Sequence, residues 1–285
     1  MRNIRLTIEY DGSTFCGWQT QNSHSLDFAR DSLRSQATKS LPRLRSGLPS
    51  VAGHQKKAIQ DTIERALQKI LQEKIKLIAS GRTDSGVHAV AQVANFKTHC
   101  RISLEKLHKA VNALLPDEIS VIKVEEASPD FHSRFSAKSK IYRYTILNRP
   151  YRSSLLKNKV YFCPHPLDFK LMQKEAKVLL GRHDFSAFCA SNSNVKDTIR
   201  TVKTIKIETL PYPDASQKDK PLIVIEIEAD GFLYNMVRNI LGTLIDIGRG
   251  RFKKGSLKRI LATGDRKLAG PTAPACGLYL VKVKY

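Results

Sequence analysis

Ile4, Leu6, Ile8 and Tyr10 alternate with Arg5, Thr7 and Glu9, a period of two that predicts a half-buried strand over residues 3–10. The period lengthens at about 57–72, where Ile59, Ile63, Leu67 and Ile70 recur at helical spacing. Strand-like runs follow at 74–79 and 89–97. Leu107, Val111 and Leu114 behind a candidate Ser103 cap predict a second helix, and 119–126 reads as a strand. The order strand-helix-strand-strand-helix-strand is the ferredoxin-like arrangement that many RNA-binding modules also use.

The second half repeats that grammar. Residues 141–147 alternate as a strand, and a helix is expected at about 168–181, from an Asp168 cap through Leu171, Leu179 and Leu180. Strands near 199–209 and 221–229 flank a turn around Pro211–Pro221. Phe232 to Gly248 reads as a helix with Val237, Ile240, Leu241 and Leu244 on one face, and Leu278–Tyr285 as a closing strand. The expected fold class is α+β: two ferredoxin-like (RRM-like) units, residues 1–135 and 136–285, with mainly antiparallel sheets side by side and a basic cleft between them. Residues 23–56 fit neither unit. They are serine-rich, carry seven basic residues against Asp27 and Asp31 when counted to Lys57, and are punctuated by Pro42, Gly47, Pro49 and Gly53. They read as an inserted basic loop, either an RNA-gripping arm or a solvated insertion.

Charge narrows the partner. The 285-residue chain has 48 Lys+Arg against 26 Asp+Glu, a net +22, which points to a polyanion, most often nucleic acid. The surplus is clustered. Residues 134–159 hold eight basic residues and no acidic one, with Tyr142, Tyr144 and Tyr151 interleaved, and 238–259 hold seven more against Asp246 alone. Cations for phosphates beside rings for unstacked bases favour RNA over duplex DNA. The five cysteines are far apart with no C-x-x-C pair, which fits a reducing cytoplasm and argues against a disulfide framework or a zinc site. The eight histidines show no metal-ligand spacing, and no paired-carboxylate motif suggests magnesium. With no cleavable leader pattern and no apolar run of membrane-spanning length, the protein is expected to be cytoplasmic.

The candidate chemistry lies in Ala79-Ser80-Gly81-Arg82-Thr83-Asp84-Ser85-Gly86-Val87-His88-Ala89. Asp84 stands behind an arginine and between two glycines that permit a tight turn and close backbone approach. A lone carboxylate there can be a nucleophile, a base or a turn former.

The combination of that stretch with Glu9-Tyr10-Asp11-Gly12, Phe15-Cys16-Gly17-Trp18-Gln19, Phe131-His132-Ser133-Arg134-Phe135, Tyr142-Arg143-Tyr144, Asn235-Met236-Val237-Arg238-Asn239 and Gly277-Leu278-Tyr279-Leu280-Val281 resembles tRNA pseudouridine synthases of the TruA type. The motifs run in order over nearly the whole chain except 23–56. The resemblance implies isomerisation of uridine to pseudouridine at positions 38, 39 and 40 of the tRNA anticodon arm, with no cofactor and no metal, by a homodimer whose subunits share one tRNA. It implies Asp84 as the nucleophile, Arg238 as its ion-pair partner and Tyr142 as the ring that stacks on the target base and assists removal of the C5 proton. Leu280 is expected against that base, Arg82 in the space the uridine vacates, and Arg134 and Arg143 on the RNA. Ser85 stands where the family more often has alanine. A non-catalytic RNA binder on the same fold is compatible with the charge and the tyrosines. A nuclease or methyltransferase lacks paired carboxylates or a glycine fingerprint.

Overall fold

A computed structural model describes residues 1–19, 57–190, 195, 197–211 and 222–285. The expected inserted loop at 23–56 and the turn at 212–221 lie outside the described residues. The chain forms β1 (Arg2–Tyr10), α1 (Ile59–Leu71), β2 (Ile78–Ala79), β3 (His88–Thr98), α2 (Leu104–Leu114) and β4 (Ile119–Ala127). There follow β5 (Ser139–Asn148), β6 (Tyr161–Cys163), α3 (Phe169–Ala176), β7 (Gly181–Asp184), β8 (Ile199–Leu210), β9 (Leu222–Ala229), α4 (Met236–Gly248), α5 (Ser256–Thr263) and β10 (Leu278–Lys284).

One ten-stranded, mainly antiparallel sheet runs through the molecule in the order β4-β1-β3-β10-β5-β9-β8-β7, with β2 on β3 and β6 on β5. The C-terminal strand joins the halves. β10 pairs antiparallel with β5 and, through Tyr279 opposite His88 and Leu280 opposite Ala89, parallel with β3. That seam leaves only β10 between the strand carrying Tyr142 and the strand that leaves the Asp84 loop.

The period-two reading of β1 is borne out: Ile4, Leu6 and Ile8 are fully buried, and so are Ile59, Ile63 and Leu67 of α1. Ala58 offers no side chain to cap α1. Instead the amides of Ile59 and Gln60 donate to the carbonyls of Gly17 and Trp18 at 3.1 and 2.9 Å, so the segment before residues 20–56 caps the helix after them. Ser103 caps α2 as expected, accepting from Lys106 N at 3.3 Å.

Three expectations need correction, and one helix was not foreseen. Residues 74–77 are not strand; β2 is confined to Ile78–Ala79. The helix from Asp168 stops at Ala176, passes through a 3-10 turn and turns at Gly181 (φ 97°) into an unforeseen strand, β7. α4 begins at Met236, not Phe232, because Asn235 adopts a left-handed φ of 59° that an α-helix does not accommodate. The missed element, α5, starts inside the basic stretch 238–259 and ends four residues beyond it, its buried Leu257 and Ile260 flanking Lys258 and Arg259.

Candidate active site

The Asp84 loop is held from both sides. Tyr10 Oη lies 2.7 Å from Thr83 Oγ1, Trp18 N donates to Thr83 O at 3.0 Å, and Val87 N closes the turn on Asp84 O at 3.1 Å. Gly86 takes a φ of 80°, as the loop's glycine pattern anticipates. On the entry side Ser80 Oγ and Gly81 O both bind the buried Gln92, at 2.6 and 2.9 Å, and Lys140 Nζ donates to Ser80 O at 2.6 Å. Burial, with the charge of Arg134 nearby, pulls the Lys140 ammonium down to about 8.

His88 and Asp11 brace the loop from behind. The Nε2 of His88 faces the carbonyls of Asn158 and Cys276 at 2.9 and 3.2 Å, while Nδ1 meets the Gly12 N–H at 3.2 Å. That pattern places the proton on Nε2, and burial lowers the pKa of the ring. Nδ1 therefore does not bond Asp11 Oδ1, although they lie 3.0 Å apart. Asp11 is instead compensated by Lys159 Nζ at 2.5 Å. Partial burial pushes its carboxyl up, but the bonds from Lys159 and Ser13 prevail and hold it at about 2.

Asp84 meets Arg238 across the two halves of the chain, Nη1 to Oδ2 at 2.9 Å, with about a fifth of each side chain exposed. Arg238 is itself fixed. Its Nε donates to Ala273 O at 2.8 Å and its Nη1 also reaches Asn235 Oδ1 at 3.2 Å. Ala273 N returns a bond to Arg238 O at 3.0 Å. The segment carrying Ala273 is stitched along α4: Asn239 Oδ1 accepts from Thr272 Oγ1 and Arg266 Nη2 at 2.7 and 3.0 Å, and Gly270 N donates to Thr243 Oγ1 at 2.9 Å. Gly242, one helical turn after Arg238, allows this approach; a Cβ there would stand 1.6 Å from Pro271 O.

The pair opens into a cavity of about 980 Å³, lined among others by Trp18, Arg82, Tyr142, Phe232 and Leu278. Tyr142 sits edge-on to Phe232 with ring centres 5.1 Å apart. Burial, with Tyr10 and Asp84 nearby, raises its pKa and keeps the phenol protonated. The structure thus brings Asp84, Arg238, Tyr142, Arg82 and Arg134 to one cavity. Arg143 is not among them: neighbouring positions on a strand face opposite ways, and Arg143 pairs with Glu226 at 2.7 Å. Leu280 is fully buried between Ala89 and Tyr142 in the sheet, and the leucine of β10 that lines the cavity is Leu278, two residues earlier. Ala273 and Gly242 were missed because a backbone acceptor and a close approach leave no side-chain signal. Lys140 was visible only as one of eight cations.

Among the described residues no helix is long and apolar enough to cross a membrane. The sequence resembles "tRNA pseudouridine synthase A" of Acetivibrio thermocellus and of a Thermoanaerobacter species, each 41% identical over 285 residues and covering all of both chains. The enzyme of that name from Pelobacter propionicus is 42% identical over the same span. Among solved structures, a chain from a Cbf5-Nop10-Gar1 complex covers 80% of this chain and 51% of its own at 15% identity. Its TM-score of 0.31 is too low to bear on the fold. The sequence profile of the tRNA pseudouridine synthases matches residues 6–136 and 176–285, and with full-length relatives above 40% identity the chain belongs to that family.

Proposed function

We propose that this protein isomerises uridine to pseudouridine at positions 38, 39 and 40 of the tRNA anticodon arm, with Asp84 as the nucleophile. The observation that carries the reading is the Asp84–Arg238 pair at 2.9 Å inside a cavity that also holds the Tyr142 ring. The reaction breaks the N1–C1′ bond, turns the base and forms C1′–C5, with C5–H lost and N1–H gained. Substrate and product have the same composition, so nothing is oxidised or reduced. A carboxylate paired with a fixed guanidinium is suited to form the covalent adduct. Arg238, fixed by Ala273 O and Asn235, offers that charge without having to move.

Tyr142 stacks on the base, and its phenol assists removal of the C5 proton as a relay, passing its own proton to solvent as it takes the one from C5. Leu278 takes the base-packing role expected of Leu280, and Arg82 fills the place the uridine leaves, offsetting part of the few kcal/mol that extrusion costs. Arg134 holds RNA at the cavity mouth, whereas Arg143 acts as a surface cation on the far face. The strand orders β4-β1-β3-β2 and β10-β5-β9-β8 support two ferredoxin-like units, residues 1–135 and 136–285, meeting at a catalytic cleft. Such an enzyme works in the cytoplasm, as a homodimer sharing one tRNA, and the chemistry calls for no cofactor.

The experiment is pseudouridine content in bulk tRNA transcript incubated with the purified protein, beside Asp84→Asn. Pseudouridine in the anticodon arm from the wild type alone is the expected result. RNA bound by both proteins and modified by neither would make the fold a binder and refute the mechanism.

A further inference from the structure

The loop at the rim of the catalytic cavity carries a large exposed ring that the reaction as described does not use. Phe135 is 76% exposed, and with His132 and Arg134 it lines the same cavity as Asp84. His132 stacks on it with ring centres 4.3 Å apart and 29° between planes, and the Arg134 guanidinium lies 5.6 Å from the Phe135 centroid. A ring, an imidazole and a guanidinium in one stack form the kind of surface on which bases lie.

The loop beneath it is held by many bonds. His132 Nδ1 accepts the amides of both Arg134 and Phe135 at 3.2 Å, and Ser136 N donates to His132 O at 2.9 Å. Ser133 N donates to the buried Asn95, which bonds the buried Asn3, and Asn3 in turn holds Phe131 O at 2.9 Å. Tyr285 Oη donates to Ser133 O at 3.0 Å, and the Arg5 guanidinium lies over both Phe131 and Tyr285. Two buried asparagines, a tyrosine hydroxyl and a cation therefore hold in place a loop whose tip turns a phenyl ring to water. An exposed phenyl ring gains nothing in the free protein, whereas a pre-positioned ring costs little entropy when a base stacks on it.

We propose that His132, Arg134 and Phe135 form a stacking platform for the RNA base adjoining the target uridine, a substrate-binding contact of the reaction proposed above, on which this inference rests. When the target leaves its stack, its neighbour loses a stacking face. Phe135 replaces that face and extends the His132–Phe135 stack, while Arg134 moves from the ring to the flanking phosphate. The platform takes an unpaired or partly unstacked base of any identity, since every base has a π-face.

The test uses an anticodon-arm hairpin with 2-aminopurine on one or the other side of the target uridine, bound to the full-length Asp84→Asn protein so that no turnover intervenes. Quenching of 2-aminopurine on binding is expected on one side. Phe135→Ala and Phe135→Leu should remove the quench and weaken hairpin binding about 5- to 100-fold, and Phe135→Tyr should restore both. Unchanged quench and affinity in both ring-less variants would overturn the platform. So would a change of sedimentation from dimer to monomer with the quench intact, since Phe135 would then be a contact between two copies. Ring-dependent quenching together with a wild type that makes no pseudouridine in bulk tRNA would leave the platform standing and sink the enzyme reading.

Discussion

Gly242→Ala tests whether catalysis depends on how α4 presents Arg238. The added Cβ would stand 1.6 Å from Pro271 O and 2.8 Å from Pro271 C, both backbone atoms that cannot swing aside. Ordinary contact begins at about 3.4 Å, so the segment and the helix must separate by 3.4 − 1.6 = 1.8 Å along that line. The bond from Arg238 Nε to Ala273 O, 2.8 Å long, is lost by about 3.5 Å, a tolerance of roughly 0.7 Å. The required separation exceeds it more than twofold. Arg238 then loses the acceptor that aims its Nη1 at Asp84. Misplacement of about 1 Å near a reacting centre costs on the order of 100-fold in rate, and overpacking costs about 1–3 kcal/mol in stability. The assay is single-turnover release of tritium from C5-labelled uridine in tRNA with enzyme in excess, beside tRNA affinity and a urea melt. A rate reduced about 100-fold with affinity nearly unchanged is expected. A variant that melts earlier yet turns over at the wild-type rate would refute the reasoning, because the segment would then be packing and nothing more.

Arg238→Lys keeps a charge but removes the planar fork that spans Asp84, Asn235 and Ala273. The single-turnover rate should fall at least about 10-fold with little change in tRNA affinity, and a rate within twofold of wild type would reduce the role of Arg238 to simple charge. Lys140 gives a pH signature. Its folded pKa of about 8 lies below the ordinary 10.5, so between those values the unfolded chain binds more protons and this group's contribution to stability rises with pH. Below about pH 8 the folded protein bears the full penalty of the buried ammonium. Discounted for its partial exposure, the swing is about 2 kcal/mol. The stability of Lys140→Met minus that of wild type, from urea melts at pH 7 and pH 10, should fall by about that amount, and a difference flat with pH would remove the argument.

Much of the fold was legible because burial imposes a period. β1, α1, α2, β4, β8 and β9 lie within two residues of their expected bounds, and β1, α1 and α2 show one apolar face and one polar one. The failures have a common physical cause. Phe232 and Leu233 carry apolar character upstream of the true start, and α4 is buried at every position except Arg238, so hydrophobicity marks no starting point. A left-handed Asn235 sets the start instead. β6 and β7, with three and four residues, are too short to show a period.

The site divides in the same way. Asp84, Arg82, Arg238 and Tyr142 stand in recognisable side-chain motifs, and the structure brings them to one cavity. What holds them resides largely in the backbone: the carbonyls of Ala273 and Ser80, and the amides of Trp18 and Val87. The contrast between Leu278 and Leu280 shows the limit sharply. Both lie on β10 and have the same side-chain parity, yet Leu280 is sealed between β3 and β5 while Leu278 reaches the cavity. Parity tells which face a residue takes, but not where along the strand the covering layer ends and the cavity begins. That boundary is set by the parallel β10–β3 seam, a contact between residues about 190 apart in sequence, and no local pattern in either strand encodes it.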